Sequence, residues 1–407
     1  MPSVLPNGEA APADGRLPDA AIREVGSAEF SAYVHVPFCS TRCGYCDFNT
    51  YTASELDGVS QTQYVGAILT EIKLAREVVP HAPPLSSIFF GGGTPTLLPA
   101  DEQALIVRAL VESFGADDDC EVTTEANPES VTQAQLEVLR AAGVNRVSFG
   151  MQSSVEHVLH TLDRTHRPDS VVRAVTSARA AGFDNISLDL IYGTPGESVA
   201  DWRASLSAVL ELEPDHVSAY ALIVEPGTAL ARRVARGELE SVDDDDQAEK
   251  YEMTDDVLSA AGYEWYEVSN WARRASARSR HNLAYWHSEH WWGFGPGAHS
   301  HIGGVRWWNV KHPRAYAESM AAAHSPAHAR ELLDNEDRWL ERVLLEVRLR
   351  EGLGVEVIGA EGRRVASALE SEGLADGHSL ASGRLVLTLK GRLLADHVVR
   401  RLTEHRE

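Results

Sequence analysis

The chain has 407 residues, of which 43% are hydrophobic and 24% charged, and its formal net charge is −23. This length and composition predict a globular protein with one large domain and a smaller one. The acidic balance argues against a nucleic-acid partner because phosphate contacts need a basic surface, and no apolar stretch reaches the length of a membrane span.

The first part of the chain, residues 1–28, is rich in Pro, Ala, Gly and acidic residues and has no apolar centre. We therefore expect a disordered N-terminal extension rather than a signal peptide. The chain has only four cysteines, and three of them are clustered. This usage indicates a reducing compartment, so we expect a cytoplasmic protein.

Three cysteines lie in the loop after the first predicted strand. Cys39, Cys43 and Cys46 have the spacing C-x3-C-x2-C, which lets one short loop give three thiolates to a [4Fe-4S] cluster and leaves the fourth iron open. S-adenosylmethionine needs such an open iron to chelate a cluster. A zinc knuckle is the alternative, but zinc prefers paired C-x2-C units and no second pair follows. A disulfide framework fits poorly because only the distant Cys120 remains, which we expect to be a buried apolar side chain.

Short β-rich segments alternate with amphipathic helical segments between residues 31 and 222. Six such units in a row predict an α/β fold with a parallel sheet, either a partial TIM-type barrel or a doubly wound sheet. The predicted strands are Ala32–Val36, Ser87–Phe90, Glu121–Glu125, Arg146–Phe149, Ile186–Ile191 and His216–Leu222. The predicted helices are Gln63–Val79, Asp101–Phe114, Gln133–Ala142, Ser170–Ala181 and Val199–Glu211.

Glycine and polar residues follow the predicted strands at their carboxyl ends, where ligands bind in parallel α/β folds. The loop Gly91-Gly-Gly-Thr-Pro95 follows the second strand, and its glycines let a ligand approach the backbone. Glu125, Gln152 and Asp189 end the third, fourth and fifth strands, and Arg164 follows a short helix. Any one of these residues could equally be a buried polar group satisfied by its neighbours.

Together these motifs resemble the radical SAM superfamily and, within it, the coproporphyrinogen-III-oxidase-like branch, over about residues 31–400. The resemblance implies an open (βα)6 barrel that carries a [4Fe-4S] cluster with S-adenosylmethionine on its fourth iron. The carboxylates that end the strands suit the ribose hydroxyls and the amino group of S-adenosylmethionine, and Arg164 suits its methionine carboxylate. The implied S-adenosylmethionine contacts are Tyr33, Tyr45, Gly92, Gly93, Thr94, Glu125, Gln152, Arg164, Asp189 and Ala221.

Two features separate members of this branch. Its decarboxylases usually carry a further cysteine two places after the third, where this chain has Phe48. The segment His281-Asn-Leu-Ala-Tyr-Trp286 resembles the HNxxYW element of the branch's haem chaperones. The resemblance therefore implies a haem chaperone, and it leaves open whether the chain is an enzyme. The alternatives are an oxygen-independent coproporphyrinogen III oxidase and a non-catalytic module whose cluster serves dimerisation or redox sensing.

The partners implied by the chaperone interpretation are haem, a haem-acceptor protein and an electron donor. A membrane-surface location is one option for the acceptor. Residues 226–333 form a segment dense in Trp and His, and haem needs an axial imidazole and broad apolar walls. His281 is the first candidate for the ligand, followed by His35 and His299, although such a stretch can equally pack a core. The aromatic and cationic candidates around it are Trp265, Trp271, Trp286, Trp291, Trp292, Trp307 and Trp308, with Arg273, Arg274, Arg278 and Arg280 for the propionates.

After the N-terminal extension, we expect three parts of the chain. They are a barrel core at 29–225, the Trp/His-rich extension at 226–333 and a C-terminal part at 334–407. Its pattern of helices, one strand and a turn-rich segment predicts a small winged-helix-like cap. Basic and acidic residues nearly balance there, so we expect a lid or protein-contact module rather than a DNA-binding one. His378 and His405 in this cap should not affect haem binding. The predicted elements are helices Arg338–Arg350 and Gly362–Glu372, the turn-rich Gly377–Gly383, the strand Arg384–Leu389 and a last helix from Lys390.

Overall fold

The computed structural model describes residues 7–56 and 58–404 of the chain, and one large sheet runs through most of them. The strands are β1 (Glu9–Ala10), β2 (Phe30–Val36), β3 (Leu85–Gly92), β4 (Ala116–Ala126), β5 (Arg146–Gln152), β6 (Ile186–Tyr192), β7 (His216–Ala221), β8 (Glu264–Glu267), β9 (Asn270–Ala272), β10 (His290–Phe294), β11 (His299–Ile302), β12 (Val305–Asn309), β13 (Ala327–Leu332), β14 (Leu353–Gly354) and β15 (Arg384–Leu385).

The helices cover the sheet and build the C-terminal region. They are α1 (Asp19–Glu24), α2 (Gln61–Val78), α3 (Ala100–Phe114), α4 (Gln133–Ala141), α5 (Glu156–Thr161), α6 (Pro168–Ala180), α7 (Val199–Glu211), α8 (Ala229–Ala235), α9 (Asp244–Ala260), α10 (Arg280–Trp286), α11 (Pro313–Ala321), α12 (Asn335–Glu346), α13 (Gly359–Ser371), α14 (Gly377–Ala381), α15 (Leu389–Leu393) and α16 (Ala395–Thr403). None of them within the described ranges is both long and apolar enough to cross a membrane.

Six parallel strands, β2 to β7, lie side by side in chain order at the centre of the sheet. The full order is β1-β13-β12-β11-β10-β2-β3-β4-β5-β6-β7-β9-β8. The predicted α/β class is confirmed. A doubly wound sheet would reverse its strand order at a switch point, whereas β2 to β7 run in unbroken sequence, so the barrel alternative is the correct one.

Helix α10 contacts strands from separate parts of the sheet. Its His281 forms a hydrogen bond of 2.9 Å between Nδ1 and Oγ of Ser87 on β3, and Glu121 on β4 accepts the main-chain N–H of His281 at 3.3 Å. Just before the helix, the N–H of Ser279 donates to the hydroxyl of Tyr266 on β8 at 3.1 Å. Because α10 contacts β3 and β4 on one side and β8 on the other, the sheet curves around it.

The N-terminal residues 7–28 belong to the fold, so the expectation of a disordered extension is wrong for them. Strand β1 pairs antiparallel with β13, and Arg330 forms an ion pair of 2.7 Å with Glu9. Ala21 and Val25 are each only 1% exposed. The partners of this segment lie some 300 residues away in sequence, so local composition carries no sign of them. Residues 1–6 lie outside the described part of the chain.

The segment 226–333 adds strands to both edges of the same sheet. Strands β8 and β9 extend it beyond β7, and β10 to β13 extend it beyond β2. Most tryptophans of this segment are therefore core residues rather than walls of a ligand site, which corrects the sequence-based interpretation. The buried ones are Trp265, Trp271, Trp292, Trp307 and Trp308.

The C-terminal cap has an apolar core of its own, which includes Val343, Leu369 and Val398. Two of the helices predicted for it overlap α12 and α13, but its second half differs from the prediction. The turn-rich segment contains helix α14, the predicted strand shortens to β15, and the last helix is split into α15 and α16. Strand β15 pairs with β14, which precedes α13 in the chain. The two-stranded sheet of the cap is therefore formed by strands that are distant in sequence. His405 lies outside the described residues.

Candidate functional site

A cavity of about 410 Å³ opens at the carboxyl ends of strands β3 to β7. Cys39, Cys43 and Cys46 lie along one wall, and all three are free thiols. The cavity therefore brings the cysteine loop together with most of the strand-end residues identified in the sequence. Those residues are Tyr45, Gly92, Gly93, Thr94, Glu125, Gln152, Arg164, Asp189 and Ala221.

Main-chain hydrogen bonds within the cysteine loop and to the segment that follows it fix its conformation. The N–H of Cys39 donates to the carbonyl of Tyr51 at 3.0 Å, and the N–H of Cys46 donates to the carbonyl of Cys43 at 3.2 Å. Partial burial raises the pKa of Cys46 to about 11 and also raises that of Cys39. These thiols are therefore protonated without a metal, and metal binding would displace their protons.

The glycine loop packs directly on the cysteine loop. Gly92 has a φ of +107°, and a Cβ there would lie 2.6 Å from the ring of His35. A Cβ on Gly93 would lie 2.5 Å from the carbonyl oxygen of Phe38 and 3.0 Å from Sγ of Cys39. Only glycine allows this contact, so the two loops found separately in the sequence form one rigid wall of the cavity.

Two half-buried carboxyl groups line the cavity at the ends of β4 and β6. Burial, and then repulsion from Asp189, raise the pKa of Glu125 to about 8. Burial also raises the pKa of Asp189, whose oxygens accept hydrogen bonds of 2.9 and 2.8 Å from the hydroxyl of Ser148. A cationic ligand would offset the cost of ionising this pair, so the site favours positive charge.

Arg164 lies between the cysteine loop and the strand ends. Its Nη1 is 3.5 Å from Sγ of Cys43, and its Nη2 donates to Oδ1 of Asn127 at 2.7 Å and to the carbonyl of Gly150 at 2.8 Å. Asn127 in turn donates from Nδ2 to Oγ1 of Thr94 at 3.0 Å. Sequence reasoning missed Asn127. The sequence feature that could have indicated Asn127 is its position two residues after Glu125, at the end of a predicted strand.

Gln152 enters the cavity from a strained backbone. Its φ is +61°, which is uncommon for a residue other than glycine, and the side chain is 9% exposed. A Cβ on Gly150 would approach Nε2 of Gln152 to 2.8 Å. Backbone strain of this kind persists where the surroundings enforce it, often at binding sites.

Tyr33 and His35 lie beneath the site rather than on it. Tyr33 does not line the cavity, and its ring packs beside Phe89 and His281 at centroid distances of 6.3 and 6.0 Å. Nε2 of His35 donates to the carbonyl of Asn49 at 2.9 Å, so its Nδ1 accepts from the Tyr33 hydroxyl at 3.0 Å. The roles of Tyr33 as a cofactor contact and of His35 as a haem ligand stay predictions from the sequence.

His281 is a core residue with no free nitrogen. It is 1% exposed, with Nδ1 bonded to Ser87 and Nε2 bonded to the hydroxyl of Tyr285, each at 2.9 Å. Its choice as first haem ligand stays a prediction, and ligation would have to break one of these two hydrogen bonds. Nε2 of His299 has no partner among the described residues, but it is enclosed. The four candidate arginines also contact the protein itself: Arg274 pairs with Asp215, Arg278 with Glu264 and Arg280 with Asp119, while Arg273 lies over the ring of Tyr263.

The residues at the first cavity fit a [4Fe-4S] cluster with S-adenosylmethionine. No group of three or more His, Cys, Asp or Glu in the described ranges is arranged to hold a single metal ion. A cubane takes each thiolate on a different iron, so three separated thiols suit it and do not suit zinc. The carboxyl groups of Glu125 and Asp189 and the guanidinium of Arg164 offer partners for the ammonium, hydroxyls and carboxylate of S-adenosylmethionine.

Comparisons with known proteins agree with this geometry. Residues 33–209 match the family model described as Radical SAM superfamily. The chain is 52% identical over 373 residues to the heme chaperone HemW of Mycobacterium tuberculosis, which covers 92% of this chain and 94% of that protein. It is 35% identical over 377 residues to the heme chaperone HemW of Bacillus subtilis, covering 90% and 97%. Its fold is similar to that of coproporphyrinogen III oxidase (HemN) from Escherichia coli, with a TM-score of 0.80 over 98% of this chain and 97% of that one.

The barrel, the cysteine loop and the family match define a radical SAM protein. Within that class, the chain belongs to the HemW family, because relatives of that name match nearly its whole length. The likeness to HemN, at 23% identity, establishes the fold alone.

Proposed function

We propose that this chain is a haem chaperone that binds haem and transfers it to an acceptor protein. It holds a [4Fe-4S] cluster on Cys39, Cys43 and Cys46, with S-adenosylmethionine on the fourth iron. The observation that carries the proposal is the 52% identity, over 92% of the chain, to a relative named heme chaperone. The protein works in the cytoplasm, with an electron donor for the cluster and without nucleic acid, and one option places the acceptor at the membrane surface.

The residues of the first cavity have distinct tasks in this proposal. The cluster, when bound, supplies an electron that can cleave S-adenosylmethionine reductively. Arg164 lies beside Cys43 and orients the methionine carboxylate through the guanidinium N–H groups that are not bonded to Asn127. Glu125 and Asp189 bind the cationic and hydroxyl groups. The glycine loop keeps side chains away from the cysteines, so that cluster and cofactor can approach each other.

Phe48 supports the chaperone over a coproporphyrinogen III oxidase. It lines the cavity and is 50% exposed, at the place where decarboxylases of the branch usually carry a cysteine. A phenyl ring offers neither a thiol to a substrate nor a ligand to a metal. The cavity therefore lacks a group that the resemblance associates with decarboxylation.

The test is made on one anaerobic sample reconstituted with iron and sulfide. We expect haem titration to give about one haem per chain, and coproporphyrinogen III with S-adenosylmethionine and a reductant to give no protoporphyrinogen. E. coli coproporphyrinogen III oxidase serves as the positive control for the assay. Product formation by this chain would replace the chaperone with the oxidase, whereas absence of haem binding would remove the proposal. Haem binding without any cleavage of S-adenosylmethionine would favour the non-catalytic module.

Affinity for S-adenosylmethionine should rise with pH. The pKa of Glu125 is raised to about 8, so at pH 6.5 the carboxyl is mainly protonated and a cationic ligand must displace its proton. Between pH 6.5 and 8, the dissociation constant should fall by up to ~10-fold per pH unit. Equilibrium dialysis against the cluster-loaded protein measures it.

Glu125→Gln separates this effect from the titration of the ligand itself. The variant should bind more weakly at pH 8.5 and should lose the part of the pH dependence that belongs to Glu125. Glu137→Gln, an exposed change on α4, is the matched control and should follow the parent. If the dissociation constant depended on pH in the same way for the parent and Glu125→Gln, this carboxylate would not contact the cofactor.

A further inference from the structure

We propose that Arg146 is a positioning residue for S-adenosylmethionine, because its buried charge holds Glu125 and Asp189 in the ionised form that binds this cationic cofactor. The inference rests on the proposed function and deepens its account of the cavity that contains the three cysteines, which we call the cysteine cavity. Arg146 does not line that cavity, so it acts through the two carboxylates and not by contact with the cofactor.

The strand register places Arg146 on the inner face of the barrel, below the cysteine cavity. Ser148 and Gly150 of β5 line the cavity, and Arg146 is on the same face of that strand because side chains alternate. Ser148 pairs with Glu125 of β4, and Arg146 pairs with Thr123, two residues earlier on both strands. Arg146 therefore belongs to the layer of inward side chains next to the layer that holds Glu125.

The charge of Arg146 acts on groups from five different elements, which agrees with a central position inside the barrel. Burial is the main cause of the pKa shift of each group, and the charge of Arg146 is a further cause that lowers the pKa. The groups are Glu125 on β4, Asp189 on β6, His216 on β7, Tyr266 on β8 and His281 on α10. The two imidazoles are thereby kept neutral, while the two carboxyl groups are favoured in their ionised form.

Arg146 is a buried cation without an ion-pair partner. It is 2% exposed, its Nε has no hydrogen-bond partner, and none of the described carboxylates forms an ion pair with its guanidinium. The other deeply buried cation, Lys250, pairs with Glu197 and Asp246 at 3.2 and 2.7 Å. An unpaired buried charge costs stability, so the fold alone gives no reason for an arginine at this position.

The carboxyl groups of the cavity need a positive charge nearby because they repel each other. The groups that face Glu125 from other elements are phenols and a main-chain N–H, which carry no charge, and hydroxyl groups bond to Asp189. They are Tyr33 on β2, Gly92 on β3, Tyr220 on β7 and Tyr285 on α10 for Glu125, and Ser148 and Ser187 for Asp189. Arg146 supplies a positive charge that acts on both carboxyl groups.

The direction of the effect follows from the sign of the charge. With Arg146 in place, the carboxyl groups ionise at a lower pH, so the cationic cofactor finds them ionised at a lower pH. Without that charge, the carboxyl groups keep their protons up to a higher pH, and the cofactor must displace a proton in order to bind. Affinity should therefore be lost near neutral pH and should recover when the pH rises further.

The experiment measures the dissociation constant of S-adenosylmethionine between pH 6.5 and 9, by equilibrium dialysis against the full-length, cluster-loaded protein. Arg146→Met keeps an unbranched side chain without the charge and should move the pH at which affinity rises upwards by ~1 unit. Its dissociation constant at pH 7.5 should increase by up to ~10-fold, and the difference should narrow towards pH 9. Arg146→Lys keeps the charge and should lie closer to the parent. Arg108→Met, at an exposed position on α3, is the control and should match the parent.

Urea unfolding at pH 6.5 separates a positioning role from a structural one. Removal of an unpaired buried charge should leave the urea midpoint of Arg146→Met equal to that of the parent or higher. In the Glu125→Gln background, Arg146→Met should change the affinity by a smaller factor, because one of the two carboxylates through which Arg146 acts is already neutral.

The outcomes also separate this inference from the proposed function. If the parent binds no S-adenosylmethionine, the cofactor part of the proposed function fails and this inference fails with it. If the parent binds the cofactor and Arg146→Met has the same pH dependence, only the role of Arg146 is wrong. A loss of affinity that is equal at every pH and is accompanied by a lower urea midpoint would also overturn the inference, because it would assign Arg146 to the fold.

Discussion

Alanine in place of Cys39, Cys43 or Cys46 is expected to reduce the cluster absorbance of the reconstituted protein to background. Each thiolate holds one corner of a cubane, and the described residues around the loop provide no substitute ligand set. Loss of one thiolate leaves two open irons, and such a cluster is exposed to loss and degradation. Iron and sulfide analysis with the visible spectrum, after anaerobic reconstitution, makes the measurement.

Cys120→Ala is the matched control for these variants. Cys120 is a buried thiol on β4, 8% exposed, and lies five residues before Glu125, or about 17 Å along the strand from the cavity. It should keep the full cluster content. If this variant lost the cluster as well, Cys120 would have a part in assembly that its position does not explain.

Glu71→Ala is expected to destabilise the fold by roughly 3–5 kcal/mol. Glu71 of α2 is fully buried and accepts hydrogen bonds from four groups, of which Asn309 Nδ2 also donates to the carbonyl of Gly295 at 2.9 Å. Burial raises the pKa of Glu71 to about 7, and the four donors oppose that rise. The donors are the hydroxyl of Tyr316 at 2.5 Å, the N–H of Gly295 at 2.8 Å, Nδ2 of Asn309 at 2.8 Å and Nε1 of Trp292 at 3.4 Å.

Urea unfolding at pH 7.5 measures this effect. Glu71→Gln, which keeps the shape but turns one acceptor into a donor, should fall between the parent and Glu71→Ala. Glu77→Ala, at an exposed position on the same helix, should change the free energy of unfolding by less than about 0.5 kcal/mol. A loss below about 1 kcal/mol in Glu71→Ala would mean that water replaces the carboxylate at little cost.

The parallel core was predictable because its signals are local. Helix α7 has the predicted bounds, Val199–Glu211, and strand β2 begins two residues before its predicted start. Alternating buried strands, helix stops and strand-end polar residues all follow from neighbours in sequence. The cysteine loop was predictable for a similar reason, since its ligand spacing is itself the signal.

The errors concern features that depend on distant partners. Strand β1 exists because it pairs with β13, which the composition of residues 1–28 cannot reveal. The motif around His281 showed residue types suited to haem, but only the structure shows that Ser87 and Tyr285 occupy both of its ring nitrogens.

The cysteine cavity and a second cavity, lined among others by His287, His290 and Arg338, lie at opposite ends of parallel strands. The cysteine cavity follows the carboxyl end of β2, while His290, which lines the second cavity, pairs with Phe30 at the amino end of the same strand. The length of β2, seven residues, separates these ends by about 20 Å. Ligands bound in these two cavities would therefore be separated by the length of the central strands, and the two cavities share no lining residue.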